Sequence, residues 1–110
     1  MWQTGRQNTG YLKKCLWISR RFLFDVYLIK YSTGTAIPPH YDLTDRGDHH
    51  RLNIIVKRGE GGEFHCDGDY SKWWRFIYFR PDIQRHWVDE VTSGERLVLS
   101  IGWIRRQKDK

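Results

Sequence analysis

Four residues of this sequence are of types that hold a metal ion and a charged substrate: His40 and Asp42 in Pro39-His40-Tyr41-Asp42, His86 in Arg85-His86-Trp87, and Arg96, ten positions after that histidine. Two imidazoles and one carboxylate are the donor set that holds non-haem Fe(II) on one face and leaves the other coordination positions open for oxygen chemistry. An arginine nearby could clamp a carboxylate cosubstrate, because its planar fork of donors matches two carboxylate oxygens. Residues i and i+2 of a strand point to the same side, so His-x-Asp on a strand presents an imidazole and a carboxylate together. The third ligand must arrive from elsewhere, so the chain has to bring His86 back to His40.

The 110 residues allow one domain with a two-layer core. Six Trp, six Tyr and five Phe, together with 29% charged residues, exclude a disordered chain and a membrane-spanning one. No apolar run approaches the roughly 20 residues of a membrane helix. The N-terminus lacks the basic start, apolar stretch and small-residue cleavage site of a secretory signal, which predicts a cytoplasmic protein. Cys15 and Cys66 are too few for a disulfide framework and read as ordinary thiols. The net charge of +6 points toward an acidic partner such as nucleic acid. Much of the excess, however, sits at the ends, in Lys13, Lys14, Arg20 and Arg21 and in Arg105, Arg106, Lys108 and Lys110. A solvated basic surface explains that distribution as well, so nucleic-acid binding is not favoured.

Most of the chain reads as strand. Asp25 to Tyr31 is rich in β-branched and aromatic residues and stops at Ser32-Thr33-Gly34. Leu52 to Val56 is closed by the glycine-bearing loop Arg58 to Gly62, Glu63 to Cys66 is a short strand, and Arg75 to Phe79 is halted by Pro81. Gln84 to Val91 and Arg96 to Ile104 read as a hairpin turning at Thr92-Ser93-Gly94. Six or so strands separated by turns predict a sandwich or barrel. The first ten residues read as loose. Residues 11 to 24 are open between helix and strand, because Tyr11, Cys15, Ile18 and Phe22 fall near helical spacing while Phe22-Leu23-Phe24 runs into the strand pattern.

Within such a hairpin, His86 and Arg96 share a face only if the loop has an odd number of residues. A three-residue loop, Ser93-Gly94-Glu95, places Arg96 roughly 20 Å from His86 along the pair, and a five-residue loop on the order of 13 Å. The shorter span suits a five-carbon diacid bridging metal and guanidinium.

In these features the chain resembles the 2-oxoglutarate- and Fe(II)-dependent dioxygenases, over about residues 25 to 104. The pair His40 and Asp42, the distal His86 and the basic Arg96 match that superfamily's motif in order. Arg51-Leu52-Asn53-Ile54-Ile55-Val56 with Gly61-Gly62-Glu63-Phe64 is similar to the strand and turn of the prolyl-hydroxylase-like branch, as Arg75 to Pro81 is to the strand before the distal histidine. Tyr31, nine residues before His40, is placed like a cosubstrate-binding tyrosine of AlkB-type and prolyl-hydroxylase-like members. Ile29 stands where AlkB-type enzymes have asparagine, and a second arginine at the AlkB-type spacing is missing, which argues against DNA demethylation.

The resemblance implies a mainly β fold, a double-stranded β-helix (a cupin-like jelly roll) with little helix near the N-terminus. It implies one domain over 1–110, with 1–24 as an N-terminal extension, 25–104 as the core and 105–110 as a basic tail. It also implies Fe(II) held by His40, Asp42 and His86, 2-oxoglutarate on Arg96 and Tyr31, O2 as oxidant, and hydroxylation coupled to formation of succinate and CO2. The segment Leu43 to His50 and the loop Asp67 to Trp74 would border the entrance and choose the substrate, whether a protein side chain, a small metabolite or a nucleobase. Exposed strand edges in so short a jelly roll could pair between subunits.

Taken singly, each residue has a plainer role. His40 and Asp42 fit a surface turn after Pro38-Pro39, His86 a strand histidine stacked beside Trp87, Arg96 an exposed residue paired with Glu90 or Glu95, and Tyr31 a core tyrosine. His49, His50 and His65 are rival ligands, and His65-Cys66 beside Asp67 could attract zinc, although no second Cys or His pair stands at zinc-finger spacing. The joint order favours the Fe(II) site. The alternative of a different class is a metal-free β-sandwich that binds nucleic acid or another acidic partner through its basic ends. Salt-sensitive binding that survives His40→Ala and His86→Ala would mark it.

Overall fold

Among the described residues strand follows strand, and the strands are shared between two layers. The structure, a computed structural model, describes residues 2–4, 11–19, 21, 23–42 and 47–105. In chain order the strands are β1 (Trp2–Thr4), β2 (Leu12–Ser19), β3 (Phe24–Tyr31) and β4 (Ile37–His40). Then come β5 (Asp48–Lys57), β6 (Glu60–Gly61), β7 (Phe64–Cys66) and β8 (Ser71–Trp73). The last are β9 (Phe76–Phe79), β10 (His86–Val88), β11 (Val91–Ser93) and β12 (Arg96–Arg105). Arg20, Phe22, residues 43–46 of the expected entrance segment and the basic residues Arg106, Lys108 and Lys110 lie outside the described residues.

Seven strands form one sheet in the order β1-β2-β3-β12-β5-β9-β8, and the opposing layer consists of β4-β10-β7 and the pair β11-β6. From β3 onward the chain crosses from one layer to the other and back: β3, β5, β9 and β12 lie in the large sheet, β4, β7, β10 and β11 in the small ones. That alternation is a double-stranded β-helix. The core joins the layers, with Tyr31 and Val98 of the large sheet packed in one cluster with Ile37, Val88 and Val91 of the small ones. Ile55, Ile77 and Phe79 form a second cluster, with Phe64 packed against both.

No helix occurs among the described residues, so the little helix expected near the N-terminus is not found there. Leu12–Ser19 is a strand paired with β3, and its register shifts between Cys15 and Trp17. A bulge breaks the period of two, and this is why the apolar residues fell near helical spacing. The first ten residues are not wholly loose either, since Trp2 to Thr4 pair with Lys14 to Leu12.

The expected hairpin between Gln84–Val91 and Arg96–Ile104 does not form. β10 pairs with β4 and β7, β11 with β6, and β12 with β3 and β5. Ser93-Gly94-Glu95 carries the chain between layers, with Gly94 at φ +73° and its carbonyl held by the Thr33 hydroxyl at 2.8 Å. His86 and Arg96 therefore belong to opposite walls, and the span along a hairpin does not apply to them.

Gly61 is required where β6 meets β11. Its φ is +72°, and a Cβ there would stand 2.5 Å from the Glu90 carbonyl oxygen and 2.9 Å from the Thr92 nitrogen, both backbone atoms. Gly34 has φ +89° but open space around it. Gly34→Ala is expected to cost about 1 to 2 kcal/mol for the left-handed backbone alone. Gly61→Ala adds a backbone collision and should lower the urea midpoint clearly further, and equal midpoints for the two variants would contradict this account.

Candidate metal centre and cleft

The edge strand β4 carries Pro38 and Pro39, whose missing N–H groups an edge tolerates, and ends on His40. His40 stands directly opposite His86, the first residue of β10. Asp42 lies two residues past the end of β4, not within a strand as the His-x-Asp reading expected. Its backbone N–H instead donates to the carbonyl of the buried Pro81 at 2.8 Å, which fixes the carboxylate beside the two rings. One donor atom from each of His40, Asp42 and His86 lies within 4.8 Å of the others.

The orientation of the rings decides what they can bind. Nδ1 of His40 is 2.8 Å from the Pro38 carbonyl oxygen, and Nδ1 of His86 is 2.9 Å from that of Gln84. A carbonyl only accepts, so each Nδ1 carries a proton and donates it, and each Nε2 is left to face the site. Asp42 meets them with Oδ1 3.7 Å from His40 Nε2 and Oδ2 3.3 Å from His86 Nε2. Lone pairs and a carboxylate converging in this way call for positive charge between them, and a divalent cation with nitrogen and oxygen ligands fits that donor set. His86 is 5% exposed and packs against Phe79 and Phe64, with centroids 4.9 and 6.2 Å away. The site is thus dry on that side and open on the other, where a cleft of about 340 Å³ begins.

Arg96 and Tyr31 face each other at the start of β12 and the end of β3. Arg96 is 6% exposed, not the exposed residue of the plainer reading, and the carboxylate of Glu95 pairs with Lys30. Its Nη1 donates to the Arg58 carbonyl across 3.3 Å, a long bond for a buried cation. Burial lowers its pKa, an effect that Glu63 nearby opposes. Burial pushes the Tyr31 hydroxyl far above its ordinary range, with Tyr11 adding to the shift, so Tyr31 remains a proton donor. The two line a narrow pocket of about 10 Å³ that shares Tyr31, Asn53, Phe64 and Val88 with the main cleft.

The rival ligands go elsewhere. His65 pairs with Asp89 at 2.6 Å and stacks on Trp87, and His50 lies against Tyr78 and Trp103. Burial, with Asp67 adding, pushes the Cys66 thiol up to about 11, which disfavours the thiolate that zinc would need. His49 does line the cleft, 3.4 Å from Arg51.

The loop Asp67 to Trp74 does not border the cleft: none of its residues lines it, and Trp73 and Trp74 are 72% and 66% exposed. His49, from the expected entrance segment, does line the cleft, together with residues to which the sequence assigns no place there: Lys13 of β2, Asp25 and Tyr27 of β3, Arg51 and Asn53 of β5, and Ser100 of β12. Their signal was the alternation itself. Asp25, Tyr27, Ile29 and Tyr31 are every second residue of β3 and all line the cleft, as are His49, Arg51 and Asn53 of β5.

No protein-family model and no curated protein sequence matches the chain. Solved structures do. A prolyl-4-hydroxylase from Pseudomonas putida superposes with a TM-score of 0.71 at 17% identity, covering 97% of this chain and 78% of that one. The viral collagen prolyl hydroxylase of Paramecium bursaria Chlorella virus-1, solved as a 2OG complex, gives 0.62 at 19% identity over 89% of this chain and 80% of that one. KdgF from Halomonas sp. gives 0.64 at 18% identity over 97% and 88%. These likenesses show a cupin-like double-stranded β-helix, shared by prolyl hydroxylases and by cupins of other kinds.

Burial disfavours the charged forms of His49 and His50 and lowers both pKa values, with Arg51 adding to the effect at His49 and Arg80 at His50. In the unfolded chain these histidines take up protons near about pH 6.5. Between that value and the lower folded values the unfolded state binds more protons, so this contribution to stability is complete above about pH 6.5 and is lost as pH falls. A His49→Gln/His50→Gln double variant should therefore show a flatter fall of the urea midpoint between about pH 7.5 and about pH 5.5 than the parent. An unchanged or steeper slope would contradict the assignment.

Proposed function

We propose that this chain is an Fe(II)- and 2-oxoglutarate-dependent oxygenase. The observation that carries the reading is the convergence of His40 Nε2, His86 Nε2 and the Asp42 carboxylate in a cleft that leads to a desolvated arginine. His40, Asp42 and His86 would hold the iron, with Pro38, Gln84 and Pro81 carbonyls keeping the three groups in place. Iron bound there supplies oxygen activation, coupling the decarboxylation of 2-oxoglutarate to succinate and CO2 with hydroxylation of a C–H bond.

The rest falls to the protein. Arg96 would take the far carboxylate of 2-oxoglutarate, exchanging a long bond to a carbonyl for a charge-assisted pair in a low-dielectric pocket. Tyr31, kept protonated by burial, would donate to the same carboxylate. Phe64, Phe79, Ile37 and Val88 line the cleft beside the triad and exclude water from the reacting centre. The likeness in fold to two prolyl hydroxylases, one of them a 2OG complex, is compatible with this reading, and the donor set with Arg96 and Tyr31 is what favours it over other cupin chemistries.

Purified protein supplied with Fe(II), ascorbate and 2-oxoglutarate should release succinate slowly even without a primary substrate. His86→Ala should abolish the release. Arg96→Ala should raise the 2-oxoglutarate concentration needed by roughly 100-fold, as expected when one partner of a buried charged pair is removed. Succinate formation indifferent to both changes would refute the proposal.

A further inference from the structure

The inner face of the large sheet changes character along its length. Beyond Arg96 and Tyr31 comes an apolar row, Ile29, Val98 and Ile55, aligned across β3, β12 and β5. The next rows are polar: Tyr27, Ser100 and Asn53, then Asp25, Gly102 and Arg51. Gly102 is the space in which the Arg51 guanidinium lies, since a Cβ there would collide with it. Across that gap Arg51 Nη2 donates to Asp25 Oδ1 at 2.8 Å, and Nη1 donates to the Ser100 hydroxyl at 2.7 Å. Ser100 in turn donates to Asn53 Oδ1 at 2.6 Å.

A structural role alone explains this poorly. β12 already joins β3 to β5 through its ladders, and the apolar row shows that the same three positions can be filled without charge. The Arg51–Asp25 pair is half-buried, and replacing an ion pair withdrawn from water by packed apolar residues is often neutral or stabilising. Here the pair is instead laid along the wall of the cleft that also holds the triad. Lys13 adds a second cation from β2, held 4.9 Å over the Tyr27 ring. On this wall the two cations Lys13 and Arg51 face the one carboxylate of Asp25.

We infer that this polar wall is the subsite for the primary substrate, and that the substrate is a small zwitterion, a free α-amino acid. Its carboxylate is bound by Lys13 and Arg51, and its ammonium is accepted by Asp25. The inference rests on the proposed oxygenase reading, in which the cosubstrate takes the opposite, Arg96 end of the cleft. Size agrees: about 340 Å³ is at the low end for a small-molecule site, and part of it must admit the cosubstrate. A folded protein or a duplex would need a broad surface, not a charged wall inside a cleft.

The test uses the full chain loaded with Mn(II) and 2-oxoglutarate, which keeps the site filled without turnover, and saturation-transfer NMR against the twenty L-α-amino acids, their amides and their N-acetyl derivatives. One or a few free amino acids should bind, and the amide and N-acetyl forms of the same compounds should bind at least tenfold more weakly. Gly102→Ala, which pushes the Arg51 guanidinium from its seat, and Lys13→Gln, a change at a partly exposed residue that should fold, should each weaken amino-acid binding about tenfold. Either change should weaken it more than it weakens 2-oxoglutarate binding.

Three results would overturn the inference: no free amino acid bound while 2-oxoglutarate binds, amino-acid affinity unchanged in both variants, or an equal loss of 2-oxoglutarate affinity, which would give the wall to the cosubstrate. Failure of Mn(II) and 2-oxoglutarate themselves to bind would instead remove the oxygenase reading and this inference with it.

Discussion

Two hydrogen bonds from imidazole to backbone carbonyl set the character of the molecule. By donating Nδ1–H to Pro38 and Gln84, His40 and His86 are held with Nε2 turned toward the Asp42 carboxylate. Neither bond is large in energy, since a typical net contribution is about 1 kcal/mol. Their effect is orientational: they settle tautomer and ring direction before any ligand arrives, and they make a cation the natural complement of the site. The rest of the fold serves that arrangement. Returning β10 to lie beside β4 requires the chain to alternate between layers, and the alternation leaves an interior cleft beside the triad.

Along that cleft the large sheet is graded. At one end the Arg96 guanidinium is buried in a narrow pocket, and at the other the less buried Arg51 is balanced by Asp25. The two arginines differ in what they lack. Arg51 has a carboxylate and a hydroxyl within 2.8 Å, whereas the hydrogen bond found at Arg96 is a single long one to a carbonyl. A buried cation with one long hydrogen bond is costly, with Glu63 nearby offsetting part of that cost, and this is the ground for the proposal that the Arg96 end takes a carboxylate. The Arg51 end presents charges of both signs, Lys13 and Arg51 against Asp25, which is why a zwitterion is proposed there.

Much of this was legible in the chain because local rules govern it. Strand composition and turn residues placed β3, β5, β9 and β12 within a few residues, and the types and order of His40, Asp42 and His86 pointed to the cluster that the fold brings together, with Arg96 in a neighbouring pocket. What local rules could not see was layer membership. Ser93-Gly94-Glu95 reads equally well as a hairpin loop and as a crossing between sheets, and only long-range pairing of β12 with β3 and β5 decides. The bulge at Cys15–Trp17 masked a strand for a similar reason, since one inserted residue turns a period of two into something close to a helical spacing. Arg51 was overlooked because its importance depends on Gly102, a residue about fifty positions away whose missing side chain provides its seat.

On the proposed reading His40, Asp42 and His86 hold one Fe(II) ion with neighbouring positions left open for a keto acid. Anaerobic titration with Fe(II) and then 2-oxoglutarate would show this, because chelation of the keto acid by bound iron produces a weak visible charge-transfer absorption. This band should appear only when both are present, saturate at one equivalent of iron, and be absent from Asp42→Ala. A band that persists in Asp42→Ala, or no band in the parent protein at saturating concentrations of both, would contradict it.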